Sequence, residues 1–307
     1  MEGIEITEFV DNYEFISVSE VVSQALSNEN SNISQNVIAE KQINNEIKSG
    51  FKDLDKIIHK FENGQLITIA VRPGKGKTAF LLSLIYNLTI KNSTKIGVFS
   101  PERSSAKLVQ RLVESETGSS AEKIYSGNIK EHDKSRINGI INNLLSSTII
   151  INDSTSLTAE DIEKRCIYLK EKNNVDVILV DHIELYSRNI LDSESNYDDQ
   201  SKVMSVLKNV ATKINIPIIA FSQITNTQNL TTPNSKPDIN NVSENTRDLS
   251  DVIMFIHRPN VLNYDKPEFI EWKGCAEIIV VKHPQIESAT SVKLKFIESS
   301  DKFTNLD

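Results

Sequence analysis

Cysteine is scarce in this sequence: Cys166 and Cys275 stand far apart among 307 residues and form no CxxC pair. That spacing offers neither a disulfide framework nor a zinc site. The five histidines are scattered and show no ligand spacing. Nowhere does an apolar run approach the roughly 18 residues of a membrane span. The opening, MEGIEITEFVDNYEF, is acidic and has neither the basic flank nor the apolar stretch of a secretion signal. A cytoplasmic protein without a membrane partner is expected. A basic excess is missing too, since the net charge is −8, which argues against a protein coated all over by nucleic acid. It leaves room for a few lysines in a central groove, because counterion release depends on local contacts. Glycine is sparse, with 10 in all, yet Gly74 and Gly76 fall almost side by side.

The length suffices for one large core, or one core and a small appendage. Residues 1–48 are acidic and then polar, too short and too polar to bury a core alone, and read as an arm or linker. Within it Val18, Val22 and Leu26 recur every four residues and predict a short amphipathic helix, followed by a polar loop, SNENSNISQN (27–36). From residue 49 to 307 strands and helices alternate. QLITIAV (65–71), KIGVFS (95–100), SSTIIIND (146–153), VDVILVDH (175–182) and IPIIAFSQ (216–223) are β-branched-rich runs typical of strands buried on both faces. Helix-length segments lie between them at 78–91, 104–116, 158–173 and 198–214, the third opening on a capping box of Thr158 and Asp161. DVIMFIHR (251–258), CAEIIVVKH (275–283) and SVKLKFIE (291–298) read as strands without intervening helices, the last two as a hairpin at the sheet's edge. The expected fold is α/β, with a mostly parallel sheet flanked by helices and an antiparallel edge hairpin.

Four stretches carry chemistry. VRPGKGKTAF (71–80) sits between a strand and a helix, where a phosphate loop belongs. Such a loop needs inward backbone N–H groups, a lysine for the phosphates and a hydroxyl for Mg²⁺. Gly74 and Gly76 permit the tight turn, Lys77 supplies the cation and Thr78 the hydroxyl, with Pro73, Lys75 and Ala79 completing the ATP-binding run. Val71 breaks the literal GxxxxGKT pattern, so a chance glycine–lysine turn stays in view. Glu102, in SPERSS (100–105), is a candidate catalytic base for in-line attack on a γ-phosphate, or else the cap of the helix beginning near Ser104. Asp181 ends an apolar strand as a Walker B aspartate does and would hold Mg²⁺. Gln223, ending IPIIAFSQ, is a γ-phosphate sensor or simply a polar strand end. All four lie at carboxyl ends of strands, where open α/β sheets bind ligands.

Taken together these stretches resemble the ATPase domain of DnaB-type replicative helicases, which have a RecA-like P-loop NTPase core. The resemblance rests on SGFKDLDKII (49–58), AVRPGKGKTAF (70–80), VFSPERSSAKLVQRLVESETG (98–118), VILVDHIELY (177–186), IPIIAFSQIT (216–225), DLSDVIMFIHR (248–258) and GCAEIIVVKH (274–283). The family's loop typically begins with alanine and reads ARP, which accounts for Val71. The resemblance implies an ATP hydrolase that uses Mg²⁺ and moves along single-stranded DNA as a hexameric ring, alongside other replication proteins. It makes Lys77, Glu102 and Gln223 catalytic, Thr78 and Asp181 the metal residues, and Arg111 a nucleotide contact. Where the family reads KQRNGP this chain reads KHPQIE (282–287), so Lys282 is the candidate basic finger acting in trans and Pro284 replaces the expected arginine. The DNA-binding loops are poorer in basic residues than in the family, with Lys236 in TNTQNLTTPNSKP (225–237) and Glu244 and Arg247 in NVSENTRDLSD (241–251) as candidates. The 307 residues contain no counterpart of the family's helical collar, and the 18–28 helix resembles the linker helix that docks on a neighbouring ATPase domain. Two further readings fit: an ATP-binding regulator or assembly protein derived from such a helicase, and a RecA/RadA-like recombination ATPase. The second explains SGFKDLDKII and SPERSS less well.

Overall fold

The computed structural model describes residues 14–28, 46–126, 128–186, 196–224, 227, 229–230, 232, 234–259 and 272–306. Most of the loop expected at 27–36, and positions 225, 226, 228, 231 and 233 of the expected DNA-binding loop, lie outside them. In chain order the elements are β1 (Ile16–Ser17), α1 (Val18–Asn28), α2 (Lys52–Ile58), β2 (Leu66–Val71), α3 (Lys77–Tyr86), β3 (Ile96–Phe99), α4 (Ser105–Thr117), α5 (Ala121–Tyr125), α6 (Glu131–Leu145), β4 (Ile149–Asn152), α7 (Ala159–Asn173), β5 (Val177–Val180), α8 (Asn196–Ile214), β6 (Ile218–Gln223), α9 (Glu244–Leu249), β7 (Val252–His257), β8 (Cys275–Lys282), β9 (Thr290–Ile297) and β10 (Lys302–Thr304).

All these strands join one sheet in the order β1-β4-β3-β5-β6-β2-β7-β8-β9-β10. The six from β4 to β7 run parallel, and β1, β8, β9 and β10 are antiparallel to their neighbours. Each parallel strand is apolar on both faces because helices cover both. Ile67, Ile69 and Val71 of β2 and Val177 and Leu179 of β5 face the layer that holds α3, α4 and α6. Ile178 and Val180 of β5 point the other way, into α7 and α8. Gly97 of β3 lets that second layer settle, since a Cβ there would stand 2.7 Å from Leu169 Cδ1 of α7. The Thr158–Asp161 capping box forms as expected: the Asp161 N–H donates to Thr158 Oγ1 at 3.2 Å and the Thr158 N–H to Asp161 Oδ2 at 3.0 Å.

Several expectations need correction. The hairpin β8–β9 is not the edge, because β10 pairs outside β9. At the other margin β1 adds an antiparallel strand to β4, with Ile16 opposite Ile151. The helix expected over 78–91 is α-helical only to Tyr86 and ends in a π-helical turn over Asn87–Lys91. Helix α6 was not among the expected elements; its face is carried by Ile137, Ile141 and Leu144, all buried, amid a polar surround. The helix expected around Val18, Val22 and Leu26 is present, and all three side chains are buried in the same core as the rest of the chain. It lies against α4, α6 and β4 of its own chain.

Candidate active site

The chain leaves β2 through Arg72, Pro73, Gly74, Lys75 and Gly76 and enters α3 at Lys77. Gly74 (φ +70°) and Gly76 (φ +102°) take the left-handed conformations that glycine accepts readily. Gly76 is needed twice over, because a Cβ there would also come within 3.1 Å of the Phe303 ring. No side chain caps the start of α3, so its first N–H groups and the positive end of its dipole are open to an anion. Aromatic residues are few in the sequence, but they concentrate beneath this helix. Phe51 stacks on Phe80 at 5.2 Å, Phe80 meets Phe303 edge-on at 5.3 Å, and Phe303 meets Phe296 at 4.9 Å.

Lys77, Asp181 and Glu102 converge above the loop. The Lys77 ammonium donates to Asp181 Oδ1 at 2.6 Å and lies 3.4 Å from Glu102 Oε2. Asp181 follows β5 and is fully buried; its N–H donates to the Phe99 carbonyl of β3 at 2.8 Å, and its Oδ2 has no hydrogen-bond partner among the described residues. Partial burial works against the Glu102 charge, but Lys77 and His182 outweigh it and hold the carboxyl below its ordinary value. Glu102 is not the cap of α4: Asp153, from the loop after β4, accepts from the Ser105 N–H at 2.7 Å and takes that place. Gln223 ends β6 beside Val71 of β2 and lines the same cavity, of about 340 Å³, as Lys77, Thr78 and Glu102.

Positive charge surrounds the loop. Burial lowers the Lys75 pKa, and the nearby Arg258 and Arg72 push it further down. Arg258 lies over the Phe296 ring at 3.5 Å. Arg111 of α4 also lines the cavity and pairs with Asp301, in the turn between β9 and β10. A second cavity, of about 350 Å³, lies on the far side of that pair between α4 and the 298–301 turn.

The remaining candidates lie apart. Because β8 is antiparallel to β7, Lys282 sits beside Ile253 at the opposite end of β7 from the phosphate loop, and donates to the Arg247 carbonyl at 2.5 Å. Lys236 pairs with Glu277 at 2.8 Å, and Glu277 lies opposite His257 at the other end of the same strand pair. Five residues of strand, about 16 Å, separate Glu277, the partner of Lys236, from Lys282. Lys236, Glu244 and Arg247 do not form one patch in this chain; Glu244 and Arg247 belong to α9.

Sequence reasoning missed His182, Glu184, Arg258 and Asp301. His182 Nδ1 is 3.3 Å from Glu102 Oε2, and Glu184 accepts from Ser222 and Gln223 of β6. Both stand within VDHIELY, and the cluster of Asp181, His182 and Glu184 just past an apolar strand was the available signal. Nothing local marks Asp301, which reaches the site through pairing of β9 with β10.

Residues 46–305 match the DnaB-like helicase C terminal domain. The replicative DNA helicase DnaB of Geobacillus stearothermophilus is 28% identical over 263 residues, covering 85% of this chain and 57% of that protein. That of Buchnera aphidicola subsp. Acyrthosiphon pisum is 31% identical over 265 residues, covering 84% and 56%. The chain thus spans somewhat over half the length of these relatives. Among solved structures, a DnaB-like replicative helicase described with its interactions with primase superposes with a TM-score of 0.73 at 24% identity, covering 88% of this chain and 65% of that one. An isolated ATPase domain also reaches 0.73, at 22% identity, covering 95% of this chain and 99% of its own. These two likenesses establish the RecA-like fold, and the match over residues 46–305 establishes that the chain belongs to the family of DnaB-like helicase C-terminal domains.

Proposed function

We propose that this chain is an ATP-hydrolysing DNA helicase subunit that advances along single-stranded DNA. The observation that carries the reading is the meeting of Lys77, Asp181 and Glu102 over an uncapped helix start. The loop Pro73–Ala79 would hold the polyphosphate of ATP, and Arg111, which lines both cavities, would contact the nucleotide. The residues present suit Mg²⁺: the Thr78 hydroxyl stands in the first turn of α3, and Asp181 has one buried oxygen without a partner among the described residues. Together with phosphate oxygens and water, one hydroxyl and one carboxylate are a customary set for this ion. Bound there, Mg²⁺ would neutralise charge developing on the phosphates.

Lys77 exchanges its contact with Asp181 and Glu102 for the β- and γ-phosphate oxygens. Glu102, held ionised, accepts the proton of a water that attacks the γ-phosphorus as the bond to the bridging oxygen breaks and ADP leaves. Gln223 reports the γ-phosphate to the chain that follows β6. Lys282 lies too far along the sheet to serve its own site, so it serves a neighbour's, in a hexameric ring closed by the 18–28 helix. Lys236, Glu244 and Arg247 contact the DNA backbone, Lys236 from a different level of the ring than the other two. A cytoplasmic setting and other replication proteins as partners belong to the same reading.

The test is ATP hydrolysis with and without single-stranded DNA, with Lys77→Ala as the blank. Hydrolysis that rises with DNA and vanishes in the variant is the expected result. ATP binding without DNA-stimulated turnover would refute the helicase reading and favour the regulator.

A further inference from the structure

One carboxylate holds the end of β6. Glu184 Oε1 accepts from the Ser222 hydroxyl at 2.5 Å and from the Gln223 N–H at 2.9 Å. Its Oε2 lies 3.7 Å from His182 Nε2, and the other ring nitrogen, Nδ1, is 3.3 Å from Glu102 Oε2. Polar groups therefore follow one another from Lys77 through Glu102 and His182 to Glu184 and the main chain of Gln223, with one gap: Glu184 Oε2 faces the imidazole at 3.7 Å and has no hydrogen-bond partner among the described residues. His182 makes the path possible by an unusual backbone. Its φ of 57° and ψ of 63° are left-handed, a conformation a non-glycine side chain adopts only when its surroundings hold it there. The chain beyond β6 is gripped from the phosphate loop as well: Arg72 donates to the carbonyls of Thr232 at 3.2 Å and Ser235 at 2.6 Å.

We propose that Glu184, acting through His182, is the positioning residue that couples Glu102 to the chain leaving β6. The inference rests on the ATPase reading above. When Lys77 turns to a bound phosphate, Glu102 loses that contact and keeps His182 Nδ1, 3.3 Å away, as a polar neighbour. A shift of Glu102 then moves the imidazole, the imidazole moves Glu184, and Glu184 carries the backbone N–H of Gln223 with it. This path acts on the main chain and is separate from any contact of the Gln223 side chain with phosphate. Were Glu184 merely satisfying two donors, its loss would depress basal and DNA-stimulated turnover alike.

The experiment measures ATP turnover of the full chain against ATP concentration, with and without an oligo(dT) single strand. Wild type, Glu184→Ala and Glu184→Gln are compared, with thermal unfolding as the check on folding. The ratio of stimulated to basal turnover should collapse towards one in Glu184→Ala, while the basal KM for ATP stays within about twofold. Glu184→Gln should restore at least half of the ratio, because an amide oxygen still accepts from Ser222 and Gln223. His182→Phe, which keeps a ring and removes both nitrogens, should lose the ratio as Glu184→Ala does; it stands in if the alanine variant does not fold. Full stimulation in Glu184→Ala or His182→Phe overturns the coupling alone. Wild-type turnover unmoved by DNA overturns the helicase reading, and the coupling falls with it.

Discussion

At the scale of single residues, two groups have protonation behaviour that can be measured. Glu102 is held below its ordinary range and is already in the base form at neutral pH. Glu102→Gln should keep nucleotide binding and lower kcat by about 10²–10⁴-fold, read by single-turnover hydrolysis beside a fluorescent-nucleotide titration. His257 behaves differently. It is 3% exposed in β7, and burial, opposed by Glu277 and aided by Lys236, Arg72 and Lys75, lowers its pKa to about 4. The unfolded chain binds this proton below about pH 6.5 and the folded chain only below about 4. Folding stability should therefore fall as the pH drops from 6.5 towards 4, by on the order of 3 kcal/mol from this residue. Urea unfolding at pH 7 and pH 4.5 checks it: in His257→Gln the midpoint should depend less on pH, and an equally steep fall would contradict the assignment.

At the scale of elements, the three residues of β10 do more than extend the sheet. Phe303 packs edge-on between Phe80 and Phe296, its N–H donates to Ser83 Oγ at 2.9 Å, and its ring supports Gly76 from below. Phe303→Ala should destabilise the fold by about 3–5 kcal/mol and weaken nucleotide binding in the same variant. Gly76→Ala should lose nucleotide binding while most of the fold survives, since backbone strain of about 1–3 kcal/mol is confined to the loop. Equal nucleotide affinity in Gly76→Ala and wild type would show that the loop bends by another route. The strands β2 to β9 were legible from their apolar, β-branched-rich runs, and α7 from its capping box, but the short margins β1 and β10 were not. The 131–145 helix was overlooked although Ile137, Ile140, Ile141, Leu144 and Leu145 keep helical spacing; what the sequence did not carry is that this face packs on α4 and the 18–28 helix.

At the scale of the whole molecule, the proposed ring turns on the 18–28 helix. Its face of Val18, Val22 and Leu26 is buried against its own chain here, and in a ring the same face would cover a neighbour. Deleting residues 1–48 uncovers apolar surface on α4 and α6 and should change the oligomer measured by analytical ultracentrifugation; an unchanged oligomer would refute ring closure by this helix. Lys282 offers a second test of assembly. Mixing Lys282→Ala chains with Lys77→Ala chains should recover part of the ATP turnover that each lacks, because one supplies the loop and the other the finger. No recovery on mixing would argue that Lys282 does not act in trans.

The glycines, Lys77 and Thr78 mark the proposed phosphate loop in the sequence because that site is built from consecutive residues, and local spacing is all it requires. Glu102, Asp181 and Gln223 were legible for a related reason: a polar residue ending an apolar strand stands at the ligand-binding edge of any parallel sheet. Strand order, the convergence of Lys77 on two carboxylates and the separation of Lys236 from Arg247 were decided by the tertiary structure. They depend on which strands pair and in which direction, which no local pattern encodes. The bridge from Glu102 through His182 to Glu184 belongs with them. Glu102 follows β3, His182 and Glu184 follow β5, and Gln223, to which they lead, ends β6, so only the packing of these three strands side by side brings them within reach of one another.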